Sequence, residues 1–184
     1  MSLENTAQFL NTARLDGYCV GAFNIVDDLT LEAVIRAAEM NQAPVILQTS
    51  SGTVRRFGAE RLVAMTKTLA DHSRVPIGLH LDHGTDLDLI QACITAGYSS
   101  VMIDASRLPY EGNLAQTRQV VDLAHRYGVS VEGEIGVLAG AEEEIVIKRD
   151  QAIYTTPAEA IEFQALAGVD FLAVAIGTAH GFYK

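Results

Sequence analysis

The chain has 184 residues, 49% of them hydrophobic and 20% charged, with a formal net charge of −10 at pH 7. Length and composition support one packed domain. The acidic balance argues against nucleic acid or an anionic membrane as a partner, because phosphate-rich surfaces select a basic face. The longest apolar run, residues 171–176, is far too short to span a bilayer. Residues 1–5 lack the basic-then-apolar pattern of a secretory leader, so a soluble cytoplasmic protein is expected. Cys19 and Cys93 make no disulfide framework, and both lie in apolar stretches that suit small core residues.

In chain order, apolar residues at helical spacing predict a helix over 6–14, stopped by Asp16-Gly17. A strand follows over 18–24, then a helix over 29–40 capped by Asp28. Residues 44–48 are the second strand, running into Thr49-Ser50-Ser51-Gly52, and 59–71 a helix. The third strand, 76–83, starts apolar and ends in titratable side chains. Charge there is costly unless a site uses it. A helix over 87–96, a strand over 99–104, a helix over 113–127 and a strand over 129–134 come next. Thr156-Pro157-Ala158-Glu159 is a capping box with proline at the first helical position. The sixth strand covers 170–176. Gly97, Gly128 and Gly168 each stand between a helix and the next strand, where a left-handed cap fits. This alternation of helices with buried apolar strands predicts an α/β fold with a parallel sheet and right-handed crossovers. Residues 136–154 form the one long irregular stretch, expected to be a functional loop.

Asn24, Ser50, Asp82 with His83, Asp104, Glu134 and His180 all fall at or just past predicted strand ends. In a parallel βα fold those ends share one face, which hosts the site. His83 and His180 are metal candidates, since imidazoles with a carboxylate suit a catalytic divalent ion. The competing reading is a pair of hydrogen-bonded histidines lining a pocket. Asp82 suits proton transfer beside a cation, or else orients a histidine. Glu132 and Glu134 share a strand face with each other, as do His80 and Asp82. Glu132 could instead face a helix and pair with a lysine or arginine. Asp104 is either a ligand or a turn cap. His72 and His125 close helices on the opposite face and read as structural. The stretch 177–184 could offer backbone N–H groups and the Lys184 ammonium to a phosphate, or be an ordinary loop. Glu142-Glu143-Glu144 reads as a solvated run, raised in interest by its place in the long loop.

Four segments together resemble the class II, metal-dependent ketose-bisphosphate aldolases. They are His80-Leu81-Asp82-His83-Gly84, Val101-Met102-Ile103-Asp104-Ala105-Ser106, Val131-Glu132-Gly133-Glu134-Ile135-Gly136, and residues 177–184. They run the length of the chain in order. A small departure is Ala139-Gly140-Ala141, where the family often has a glycine pair. The resemblance implies a TIM (β/α)8 barrel, a zinc or other divalent ion, and a monovalent-cation site. It implies reversible cleavage of a fructose or tagatose 1,6-bisphosphate to dihydroxyacetone phosphate and glyceraldehyde 3-phosphate. By motif position, His83 and His180 resemble zinc ligands, and Glu134 and Asp104 the acids of an alternative metal position. Asp82 resembles the residue that handles the C4 hydroxyl proton, and Glu142 the loop acid that exchanges the C3 proton. Asn24 and Ser50 resemble substrate contacts, while Gly181 and Lys184 fall at the phosphate and monovalent-cation site. A homodimer or homotetramer is the family expectation.

None of the six predicted strands carries a lysine, so nothing points to Schiff-base aldol chemistry. A closed barrel needs eight strands and typically about 250 residues. The six present are therefore expected to be the N-terminal part of a longer barrel whose third histidine ligand and main phosphate loops lie beyond residue 184. Such a fragment is expected to be inactive and poorly folded alone. Two other readings stay open: a non-catalytic sugar-phosphate-binding or partner subunit on the same barrel, and another metal-dependent TIM-barrel lyase or isomerase.

Overall fold

A computed structural model describes residues 3–142, 145–147 and 152–180. For Ala139, Ala141, Glu142, residues 145–147, Ala179 and His180 the description stops at the backbone, and Gly181 and Lys184 lie outside the described residues.

Six parallel strands form the main sheet: β1 (Gly21–Asn24), β2 (Val45–Ser50), β3 (Ile77–Gly84), β4 (Ser100–Ile103), β5 (Ser130–Ile135) and β8 (Phe171–Val174), in that spatial order. Each pairs with the next in sequence order, so the sheet curls as an open part of a (β/α)8 barrel. Between the strands run α2 (Asp28–Asn41), α3 (Ser51–Phe57), α4 (Ala59–Ala70), α5 (Leu87–Ala96), α6 (Tyr110–Ala124) and α7 (Pro157–Ala167). A single 3-10 turn, His125–Tyr127, extends α6. The predicted alternation and parallel sheet are present.

Period two divides every strand between two layers. Leu47, Leu79, Leu81, Val101, Ile103 and Val131 face the helices and form a dry core with Ile90, Ile94 and Phe163. The opposite face of the central strands is polar. The β2–β3–β4–β5 register puts Gln48 beside His80, His80 beside Ser100, and Ser100 beside Ser130. Helix α1 (Thr6–Asp16) closes the bottom of this polar face. Thr6 Oγ1 and Ser100 Oγ are 2.8 Å apart, and Ser130 Oγ accepts from the Ala7 N–H at 3.1 Å.

Several boundaries differ from expectation for local reasons. The cap of α2 is Asp27, which accepts from Thr30 N while the Thr30 hydroxyl accepts from the Asp27 N–H; Asp28 is the first helical residue. The first strand begins at Gly21, which leaves Cys19 outside it and exposed; Cys93 is buried as expected. Helix α3 has no counterpart among the predicted elements. Ser50 caps it, and among its residues only Val54 is buried. Helix α6 starts at Tyr110, three residues early. The capping box at Thr156 and Glu159, the bounds of α5 and the left-handed caps at Gly97, Gly128 and Gly168 are as predicted.

The stretch expected to be irregular contains β6 (Ala139–Glu142) and β7 (Ile145–Ile147), paired antiparallel. β6 also pairs in parallel with β9 (Ala179–His180), making a second small sheet. No helix among the described residues is long and apolar enough to cross a membrane.

Candidate active site

The ends of β2 to β5 carry Ser50, Asp82, His83, Asp104 and Glu134, with Ser50 opposite Asp82. Asp82 and His83 are adjacent in the chain, so an ordinary strand would send them to opposite faces. A bulge prevents this. Against β4, Leu81 pairs with Val101 and Gly84 with Ile103, so β3 holds one extra residue. His83 takes up that residue with φ +47°, a left-handed conformation that non-glycine residues seldom adopt. Its imidazole thereby turns toward the carboxylates of the neighbouring strand ends. Strain of this kind concentrates at functional sites.

His83 Nδ1 lies 3.1 Å from Asp104 Oδ2 and 3.5 Å from Glu134 Oε2. One donor atom from each of the three falls within 4.8 Å of the others. Asp104 is held from its other oxygen: Oδ1 accepts from Ser106 N at 3.1 Å and from the Ser106 hydroxyl at 2.7 Å. The turn-cap and ligand readings of Asp104 are therefore compatible, one per oxygen. Burial pushes the Asp104 carboxyl up, but the hydrogen bonds from His83 and Ser106 outweigh it and hold the pKa below the ordinary carboxylate range. A depressed carboxylate adds stability above its unfolded pKa, and that contribution is lost as pH falls through the folded value. Near neutrality Asp104 is ionised.

Two carboxylates converging on one imidazole nitrogen repel each other unless a cation or a proton sits between them. One nitrogen and two carboxylate oxygens are also a donor set that divalent ions accept. The residues present thus fit a metal ion. The backbone of His180 pairs with Gly140 of β6, and its side chain lies outside what the structure describes.

Asp82 is oriented by Gln48, whose Nε2 donates to Oδ1 at 3.0 Å. Gln48 was not singled out in the sequence, although it stands one strand period before Ser50. Ser50 Oγ accepts from Thr53 N at 3.3 Å as the α3 cap, and Asn24 ends β1 opposite Gln48. Below this layer His80 is 2% exposed. Its Nδ1 meets Ser100 Oγ at 2.8 Å and its Nε2 lies 3.3 Å from Glu132 Oε2. Glu132 therefore faces histidine inside the sheet, not a lysine or arginine on a helix. His125 Nε2 meets Asp170 Oδ2 at 2.9 Å, far from the mouth, in keeping with a structural role.

A family model for class-II fructose-bisphosphate aldolase matches residues 4–184. The chain belongs to that family. Its fold agrees with solved structures: a candidate fructose-1,6-bisphosphate aldolase from Coccidioides immitis superposes with TM-score 0.88 at 31% identity, over 98% of this chain and 63% of that one. The YdjI aldolase from Escherichia coli K12 gives 0.84 at 34% identity, over 99% and 63%. A fructose-bisphosphate aldolase from Campylobacter jejuni gives 0.80 at 27% identity, over 96% and 58%. This class-II aldolase chain thus spans 58–63% of the length of the structures it matches. The class is metal-dependent, and among the described residues the His83–Asp104–Glu134 group could hold an ion.

Proposed function

We propose that this protein cleaves a ketose 1,6-bisphosphate, fructose or tagatose, reversibly to dihydroxyacetone phosphate and glyceraldehyde 3-phosphate, with zinc as its metal. The observation that carries the reading is the convergence of His83, Asp104 and Glu134 beside Asp82 at one end of a parallel sheet in a class-II aldolase chain. His83 and His180 would hold the ion, with Glu134 and Asp104 offering a second position. A divalent cation there supplies Lewis-acid chemistry, offsetting the negative charge that carbon–carbon cleavage leaves on oxygen.

The chain's own groups handle the protons. Asp82 accepts the C4 hydroxyl proton as the C3–C4 bond breaks, the C4 carbon leaving as the aldehyde and the bond's electron pair passing to C3. Gln48 keeps the carboxylate aimed. Glu142 returns a proton to C3, which completes dihydroxyacetone phosphate. Asn24 and Ser50 contact the substrate, and the Gly181 and Lys184 region receives a phosphate and a monovalent cation.

The test separates the two proton transfers. Asp82→Asn is expected to lower cleavage of the bisphosphate by about 100-fold or more, the usual worth of a positioned acid–base group. The same variant should still exchange the C3 proton of dihydroxyacetone phosphate with solvent deuterium. Equal loss of both reactions would remove Asp82 from the C4 step. Cleavage of neither bisphosphate by the unsubstituted full-length protein that contains this chain would overturn the reading.

A further inference from the structure

Thr155 takes no part in the chemistry above, yet three parts of the mouth meet on it. Its hydroxyl donates to the Ile135 carbonyl at 2.8 Å and accepts from the Ala175 N–H at 3.1 Å, while its own N–H donates to the Ala175 carbonyl at 2.9 Å. The β5–β8 ladder ends at Ile135 and Val174. Just past that point the Ala175 N–H is shared between the Ile135 carbonyl at 3.3 Å and the Thr155 hydroxyl, so Thr155 braces the last direct contact between the two ends.

The loop between β5 and α7 is fastened at the same place. Val137 and Ile153 exchange two backbone hydrogen bonds, at 2.8 and 3.0 Å, which close the loop's base two residues from Thr155. Gly136 confirms how tight the seam is. A Cβ there would meet Thr155 Oγ1 at 2.6 Å, Ala175 Cβ at 2.7 Å and the Ile153 carbonyl at 2.7 Å. Above the seam the two segments are joined again, because β6 pairs with β9 through Ala139–Ala179 and Gly140–His180. The segment bearing Glu142 and the segment bearing His180 are one hydrogen-bonded unit, and Thr155 is a foot that fixes it to β5.

We propose that Thr155 is a positioning residue that holds the Glu142 loop and the His180 segment in register with Glu134. The roles of Glu142 and His180 rest on the function proposed above; the holding itself does not.

The experiment compares the full-length protein that contains this chain with its Thr155→Val variant, which keeps the shape and removes the hydroxyl, and its Thr155→Ser variant, which keeps the hydroxyl. Amide hydrogen exchange is followed by mass spectrometry. T155V is expected to speed exchange about tenfold in both 137–142 and 175–180, leaving β2 and β3 unchanged, as loss of two hydrogen bonds at one foot predicts. T155S restores the slow exchange. T155V is also expected to lower kcat about tenfold with KM nearly unchanged, the usual penalty for loosening a supporting contact, and T155S to recover it. Unchanged exchange in either segment overturns the proposal. Should T155V fail to fold, Thr155→Ala, which puts no methyl groups against the Ile135 carbonyl, gives the same readout. A parent protein without cleavage would sink the aldolase reading, while the exchange pattern would still decide this one.

Discussion

Replacing His83 by alanine or by glycine is expected to weaken divalent-metal binding by at least about 100-fold, since either change leaves two carboxylates without their nitrogen partner. The two variants should differ in stability. His83 sits at φ +47°, where a side chain meets the following carbonyl and glycine meets nothing. His83→Gly is therefore expected to be more stable than His83→Ala by about 1 kcal/mol, measured by urea denaturation without metal. Equal stabilities would mean that the backbone at the bulge relaxes freely, and that the strained conformation does not set the direction of the imidazole.

The residue after the bulge is under a steric constraint of a different kind. A Cβ on Gly84 would lie 2.7 Å from the Met102 carbonyl oxygen, 2.8 Å from Ile90 Cγ1 and 3.0 Å from Leu81 Cδ2. The Met102 oxygen belongs to the adjacent strand and cannot swing aside. Gly84 also accepts the Asp104 N–H at 2.9 Å, so a shift of Gly84 moves a candidate ligand on each side. Gly84→Ala is expected to cost about 2–3 kcal/mol of stability, typical of forcing a methyl group into a packed site. It should also weaken metal binding, although it removes no ligand. A variant with parent-like metal affinity would show that the site tolerates movement at the end of β3.

Why the fold was legible is clear from particular stretches. Helix α5 is flanked by the aspartate cap Asp86 and the glycine stop Gly97, and local chemistry settles both ends. Thr156 and Glu159 cap each other within four residues, so no distant contact is needed. Helix α3 was hidden because Ser50-Ser51-Gly52 has turn composition and the helix buries a single side chain, too little to leave a periodic signal. Asp27 and Asp28 are equivalent to a propensity argument; Thr30, three residues on, selects Asp27.

Part of the site was legible in the same way. Parallel topology alone brings Asp82, His83, Asp104 and Glu134 to one end. What period-two reasoning could not supply is the bulge, because it assigns Asp82 and His83 to opposite faces, and nothing in a histidine announces a positive φ. Gln48, Ser106 and Thr155 act through contacts to Asp82, Asp104 and the β5–β8 seam. The first and last of these are long-range, so their roles appear only once the strands are registered. Glu132 shows the converse: its pairing with His80 follows from a register across β4 that no single strand reveals.

The central claim is that an ion gripped by these strand ends makes aldol cleavage feasible without a covalent lysine. The most direct measurement is cleavage of fructose and tagatose 1,6-bisphosphates by the purified full-length protein that contains this chain, before chelation, after it, and after zinc is restored. Loss of turnover on chelation and its return with zinc is the predicted result. Turnover that survives complete removal of the metal would contradict the account.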